Sequence, residues 1–441
     1  MRTGTGQLRA GLARRDITQP LGTPAGLSLT ERVTEVWDSL TATVVVLEQG
    51  GARVVIAALD LVGVLEASHH AIRSGAAIAA GTPEESVIVV ASHTHSAPYL
   101  SAELQELLRP HGLQIMDDAY ADDVVAKVAS AAAEAAARTV PVTVQVGRGR
   151  VERVASNRRP RLPDGRVVHR YGRPPAWMRA LSEGLIDPDV TTIRLQAQNG
   201  ATVAIIASYA CHPTAAGGDN HGHVSADFVG HGRRRIEAAA GGPCLFLQGC
   251  AGNVGTGKWV GRGRRADTAI MGRRFARGAL KALGDSIEIA PDVLAMATCR
   301  VALELEPMPK IRLERAFELA VHAGDASGIV AAGDALVVAR RVDELRQAQV
   351  SAFLIGGVAL VVLPGEVFLE HGLSIGARSP YRATLVAAYQ DNTLQYIPTA
   401  SAFADGEYEV TGGWRYIQPG QGERLADQAV SLLARLAPAG Q

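Results

Sequence analysis

The sequence predicts an α/β protein in which mixed β-sheets are layered with helices. Three observations point that way. Short apolar runs rich in β-branched residues, at 87–90, 203–207 and 358–363, read as strands buried on both faces. Longer segments with apolar residues at helical spacing suit amphipathic cover for a sheet. The strands end abruptly in chemically competent side chains, and open α/β sheets hold ligands beyond the carboxyl ends of their strands.

Taken in order, residues 8–22 hold a short strand closed by a turn at Pro20 and Gly22. Residues 41–48 and 53–59 read as a hairpin around Gln49-Gly50-Gly51. Its second strand ends at Asp60, which is either a carboxylate orienting a ligand histidine or a loop cap. A helix is expected at 65–80. The next strand runs into His93 and His95, whose i, i+2 spacing points both imidazoles to one side of an extended backbone. Such a pair suits a metal or acid–base site.

A long Ala-rich helix is expected at 117–138, with acidic residues at its start to suit the helix dipole. Residues 148–180, rich in Arg and Pro, read as a loop or flap over the surface with most arginines solvated. The strand at 203–207 leads to Cys211 and His212. The polar loop after it, 217–227 with His221 and His223, is a candidate wall of the site. A strand at 244–247 precedes a glycine-rich stretch, 248–257, that permits close backbone approach to a ligand. Helices are expected at 266–283, 311–323 and 334–347. The strand at 358–363 gives way to Pro364-Gly365-Glu366, and the strand at 383–388 leads on to Tyr389 and Tyr396. A final helix at 423–436 places Leu425, Ala429, Leu432, Leu433 and Leu436 on one stripe.

Composition narrows the function. A chain of 441 residues, 47% hydrophobic and 20% charged, can bury a large core, and one domain over 1–441 is expected. Its 44 basic and 44 acidic residues cancel, which argues against a nucleic-acid or membrane-surface binder. No apolar run approaches the ~18 residues of a membrane span. The first residues carry no apolar signal region. Four cysteines, at 211, 244, 250 and 299, show no CxxC spacing, so reduced thiols in a cytoplasmic protein are expected.

The strand ends supply His93, His95, His212, Glu366 and Tyr396. Two or three nitrogen and oxygen ligands plus an open position are what a catalytic Zn²⁺ needs, and iron or manganese would accept the same donors. The motifs Ser92-His93-Thr94-His95-Ser96-Ala97-Pro98, Asn157-Arg158-Arg159-Pro160, Cys211-His212-Pro213-Thr214, Gln248-Gly249-Cys250-Ala251-Gly252-Asn253-Val254 and Pro364-Gly365-Glu366, with the pair Tyr396/Tyr408, occur in that order. Through them the chain resembles the catalytic domain of neutral/alkaline non-lysosomal ceramidases, zinc-dependent amidases, over essentially its whole length.

The resemblance implies the ceramidase catalytic-domain fold and one zinc ion per chain, held by His93, His212, Glu366 and Tyr396. It implies a catalytic His95 beside the metal, and Arg158 with Tyr408 as contacts to the substrate carbonyl. Gly252, Asn253, Gly255 and Thr256 would contribute a substrate-binding loop. Gly255 stands where ceramidases carry a serine, with Thr256 next to it, and no C-terminal β-sandwich domain is expected. A small soluble amide is therefore expected as substrate in place of a membrane lipid, with an ester or lactone as the alternative. The Arg-rich stretch suggests an anionic group on it, met by Arg159 and Arg161. A homo-oligomer is compatible with all of this. Two rivals are a thiol hydrolase using Cys250 with His212 or His95 as base, and a non-catalytic small-molecule binding protein.

Overall fold

The computed structural model describes residues 2–4, 6–217 and 221–436. Two sheets share one apolar interior. The nine-stranded sheet runs in the order Cys244–Gln248, Thr202–Tyr209, Asp189–Ala197, Val140–Arg150, Arg9–Asp16, Thr41–Gln49, Ala52–Leu59, Val87–Ala91, with Ile287–Ile289 also paired to Val140–Arg150. The five-stranded sheet runs Arg2–Gly4, Leu294–Ala302, Gln347–Ile355, Val358–Val362, Ala383–Ala387.

Strand periodicity explains the layering. On Thr41–Gln49 and Ala52–Leu59, Val45, Leu47, Val54 and Ile56 join the interior shared with Phe353 and Leu360 of the other sheet. Their neighbours Val44, Val46, Val55 and Ala57 face outward and pack with Ile72 of the helix Glu66–Ala80 and Val124 of Asp118–Ala137. On the other side, Ala352, Val361 and Phe246 meet the helices Asp227–Ala240, Arg264–Gly284 and Gln421–Leu436 through Phe228, Phe275 and Leu433. A period of two thus sends alternate residues into the sheet-to-sheet core and against a helical layer. This is the mixed-sheet, helix-covered class that the sequence predicts.

Within the two large sheets most pairings are antiparallel, but three are parallel: Ala52–Leu59 with Val87–Ala91, Thr202–Tyr209 with Cys244–Gln248, and Val358–Val362 with Ala383–Ala387. The segments carrying His93, His212, the glycine stretch, Glu366 and Tyr389 all leave the carboxyl ends of these strands. The ends are stitched together: the Ala91 amide donates to the Tyr389 carbonyl at 3.2 Å and the Ala388 amide to the Gln248 carbonyl at 3.0 Å. A two-stranded pair, Glu366–Val367 with Tyr396–Ile397, completes the rim.

Three expectations need correction. Residues 148–180 are not a solvated flap throughout. Residues 148–150 finish the strand Val140–Arg150, Ser156–Asn157 pairs with Val254–Gly255, and Arg158 and Arg170 are buried. Arg170 is held by the carbonyls of Asn157, Ser182 and Glu183 at 2.8–2.9 Å. The helix expected at 334–347 lies earlier, at Ala326–Arg340, because the Asp325 carboxylate caps it by accepting from the Gly328 amide. Residues 218–220 of the polar loop lie outside the described residues, and His221 and His223 line a shallow pocket beside Trp37 and Arg264, apart from the main cleft. Among the described residues no helix is long and apolar enough to cross a membrane.

Candidate metal centre and cleft

The backbone is bent where the chemistry gathers. His93 and Tyr389, just beyond two parallel strands, both sit at φ 63°. Left-handed conformations cost non-glycine residues on the order of 1–3 kcal/mol and persist only where the surroundings enforce them. Here the His93 amide donates to the Leu61 carbonyl at 3.0 Å, and the Tyr389 amide to that of Gly365 at 3.1 Å.

Three imidazoles and a carboxylate meet at one point. His93 Nε2 lies 3.0 Å from His212 Nε2 and 3.3 Å from His95 Nε2. Glu366 Oε2 is 3.2 Å from His93 Nε2 and 3.1 Å from His212 Nε2. Donors bound to one ion at 2.0–2.1 Å in a tetrahedron would be about 3.3 Å apart, so the separations among His93, His212 and Glu366 are those of ligands to one ion, with His95 beside them. All four side chains are buried.

Hydrogen bonding on the far side of each ring tells the histidines apart. His93 Nδ1 faces the Val62 carbonyl and His212 Nδ1 the Ala251 carbonyl, each at 2.6 Å. A carbonyl only accepts, so both rings carry Nδ1–H and aim Nε2 at the centre. His95 Nδ1 meets the Tyr171 hydroxyl at 3.1 Å, a group that can donate or accept. Burial, then the charges of His93 and Arg158, hold His212 well below the usual imidazole range, the neutral form that ligation needs. Burial would raise the Glu366 carboxyl, but His93 and the hydrogen bonds from both imidazoles hold it well below the usual range. This set of acceptors requires positive charge at its centre, either a single shared proton or a metal ion.

Arg158 is the fifth member. Buried at 1% exposure, it places Nη1 3.1 Å from His212 Nε2, 3.1 Å from the Tyr396 hydroxyl and 3.3 Å from the Gly252 carbonyl. Its Nε forms an ion pair with Glu409 Oε1 at 3.3 Å, and Glu409 Oε2 accepts from Arg159 Nη1 at 2.9 Å. Burial works against the Arg158 charge, but Tyr396 and Glu409 more than offset it and keep the guanidinium protonated. Tyr408, half-exposed, stacks on His169 with ring centres 4.9 Å apart and lines the same cleft. That cleft, about 550 Å³, also takes in His93, His95, Glu366 and Tyr396.

Other candidates lie elsewhere. Asp60 orients no histidine; it pairs with Arg233 and caps Thr41. Arg159 is committed to Glu409 and to the Ala402 and Gly406 carbonyls, and Arg161 to Asp405, so neither is held ready for an anionic substrate. Gly252, Asn253, Gly255 and Thr256 support the wall without lining the cleft. A Cβ on Gly252 would sit 2.3 Å from the Glu366 carbonyl oxygen, so glycine is what lets this loop press against the ligand strand. Asn253 accepts from the Leu369 amide and donates to Glu370, and Thr256 pairs with Thr214. Cys250 is buried beside Gly372, and burial pushes its thiol up, which suits a packed core thiol and opposes the thiol-hydrolase reading.

Sequence reasoning passed over Tyr171, His169 and Glu409. The signal was the polar triplet His169-Arg170-Tyr171 inside a stretch read as surface.

The family pattern for neutral/alkaline non-lysosomal ceramidase, N-terminal, matches residues 34–283, more than half of the chain. The chain belongs to this family. Two of the solved structures that share its fold are ceramidases. One is the crystal structure of neutral ceramidase from Pseudomonas aeruginosa, with a TM-score of 0.75 and 18% identity, covering 98% of this chain and 74% of that one. The other is a ceramidase complexed with C2, with a TM-score of 0.76 and 18% identity, covering 98% of this chain and 75% of that one. No curated protein matches the chain. Membership in the ceramidase family places it among hydrolases that act on amides, and its buried His93, His95 and His212 could hold a metal ion.

Proposed function

We propose that this ceramidase-family chain is a zinc-dependent amidase that cleaves a small soluble N-acyl compound. The observation that carries the reading is the convergence of His93 Nε2, His212 Nε2 and Glu366 Oε2 at 3.0–3.2 Å, with two imidazoles locked by backbone carbonyls. His93, His212 and Glu366 would hold the ion, with the Tyr396 phenol as fourth donor beside Arg158. Bound zinc supplies a Lewis acid and lowers the pKa of water from 15.7 to roughly 7.

The remaining roles fall to the chain. Arg158, paired with Glu409, would bring its positive charge behind the Tyr396 hydroxyl to offset negative charge growing on the substrate oxygen, and an Nη1 donor released to that oxygen would be worth about 10²–10³ in rate. His95 takes a proton from the attacking water and returns it to the nitrogen as the C–N bond breaks, giving a carboxylate and an amine. Its partner Tyr171 suits this task, because a hydroxyl follows either tautomer. Tyr408 closes the mouth over the carbonyl. A cleft of about 550 Å³ suits a drug-sized molecule. Four free cysteines are in keeping with a cytoplasmic setting.

Purified protein assayed for metal content and for hydrolysis of matched N-acyl amides and esters tests the reading. His93→Ala should lose both metal and turnover. His95→Ala should keep its metal and lose about 10²–10⁴ in kcat. A metal-free His93→Ala protein with full amidase activity would end the proposal, and a metal-free His95→Ala protein would make His95 a ligand.

A further inference from the structure

One stretch of the cleft wall is acidic, and none of the roles above uses it. Asp334, on the helix Ala326–Arg340, is 1% exposed. Its Oδ2 accepts from the Tyr99 hydroxyl at 2.9 Å and from Gln395 Nε2 at 3.4 Å, while its Oδ1 has no hydrogen-bond partner. Tyr99 and Gln395 both line the cleft, as do Val330 and Ala331 one turn back on the same helix face, so Asp334 stands directly behind the wall. Asn392, also 1% exposed, lines the cleft with its Oδ1 unpartnered.

A second buried carboxyl, Glu66, accepts from Ser101 Oγ at 3.0 Å. Among the described residues neither Asp334 nor Glu66 has an Arg, Lys or His partner, although buried carboxyls are normally paired with a cation. Burial, reinforced for Glu66 by Glu103, raises both, Asp334 to about 7. The wall therefore offers acceptors and latent negative charge with no protein cation to meet them.

We propose that Tyr99, Asn392 and Gln395, backed by Asp334, form a subsite for a protonated amine, so that the substrate is an N-acyl compound bearing a second, cationic nitrogen. The subsite rests on the amidase reading for its substrate, but not for its ligand. An ammonium brings three N–H donors and one positive charge. Asn392 Oδ1 accepts from it, the Tyr99 oxygen, which already accepts from Gln395 Nε2 at 3.0 Å, offers its remaining lone pair, and Asp334 supplies the countercharge through the Tyr99 and Gln395 hydrogen bonds. The arginines considered for an anionic substrate are committed to Glu409 and Asp405, and Glu31 adds a further carboxylate to the cleft lining, so the cleft favours a cationic group over an anionic one.

The test uses the metal-loaded protein and three matched series of N-acyl amides ending in a primary amine, a hydroxyl or a methyl group. The amine series should exceed the methyl series at least tenfold in kcat/KM, mainly through KM, and Asp334→Asn should remove most of that preference. Asn392→Ala is the second variant, in case Asp334→Asn folds poorly. In parallel, calorimetry with 1,5-diaminopentane should show binding that both variants weaken at least tenfold. Equal turnover of the amine and hydroxyl series, or losses spread equally over all three, would overturn the subsite. Hydrolysis without diamine binding would overturn it and leave the amidase standing. Diamine binding that depends on Asp334, with no hydrolysis in any series, would sustain the subsite and remove the amidase.

Discussion

At the scale of single residues, two glycines a few positions apart do opposite jobs. Gly252 lies against the Glu366 backbone, where a Cβ would meet the carbonyl oxygen at 2.3 Å and the carbonyl carbon at 3.0 Å. Backbone cannot yield as a side-chain tip does, so Gly252→Ala should displace Glu366. We expect a loss of metal affinity of at least tenfold and a stability loss of about 1–3 kcal/mol, the usual range for overpacking. Gly255 is different. A Cβ there would find His212 Cβ at 3.5 Å and Arg158 Cδ at 3.6 Å, ordinary contact distances. Gly255→Ser, which adds the hydroxyl that the family resemblance implies for this place, should fold, bind metal and change stability by less than about 1 kcal/mol. Metal titration and urea unfolding of the two variants check the contrast. Equal losses in both would show that the loop does not press on the ligand strand.

At the scale of elements, the strands and helices that could be read from sequence are those whose pattern is set locally. The helix Gln421–Leu436 buries Leu425, Ala429, Leu432, Leu433 and Leu436, the stripe its spacing predicts. Leu433→Ala should therefore cost about 2–5 kcal/mol, with kcat little changed because the helix packs on the core. Circular-dichroism melts and initial rates measure the two effects, and a large loss of kcat at unchanged stability would tie this helix to the site. The strands Asp189–Ala197, Leu294–Ala302 and Gln347–Ile355 escaped the reading. Each mixes polar and small residues with apolar ones, and only its neighbours across the sheet determine which face is buried. The site divides in the same way. His93, His212 and Glu366 were visible because each directly follows an apolar strand. Tyr171 and Glu409 were hidden because they reach the centre from a loop and from the short helix Tyr408–Thr411, neither of which follows an apolar strand. The acidic wall was hidden because Tyr99, Asp334 and Gln395 come from three distant segments.

At the scale of the whole molecule, buried ionisable groups set the response to pH, and they pull in opposite directions. Burial pushes Asp334 up to about 7, only partly offset by the Tyr99 hydrogen bond, and raises Asp227 to about 7 as well. A carboxyl raised above its unfolded value of about 3.9 stabilises fully below that value and loses its contribution as pH rises through the folded pKa. His169 does the reverse. Burial, then Arg158, bring it down to about 4, so its contribution is present above about 6.5 and is lost as pH falls towards 4. Slopes of both signs therefore overlap in the native chain between pH 4 and 7, and a single substitution isolates one of them. Asp334→Asn deletes one carboxyl slope and leaves the imidazole slope in place. Its stability relative to the native chain should therefore climb from pH 4 to pH 7, by up to about 4 kcal/mol at roughly 1.4 kcal/mol per unit. Urea unfolding of both proteins at pH 4, 5.5 and 7, with chelator present so that metal binding contributes to neither, measures this difference. A difference that stays constant across the range would mean that Asp334 is already ionised in its pocket, and the charge attributed to the cleft wall would have to be compensated by a group elsewhere.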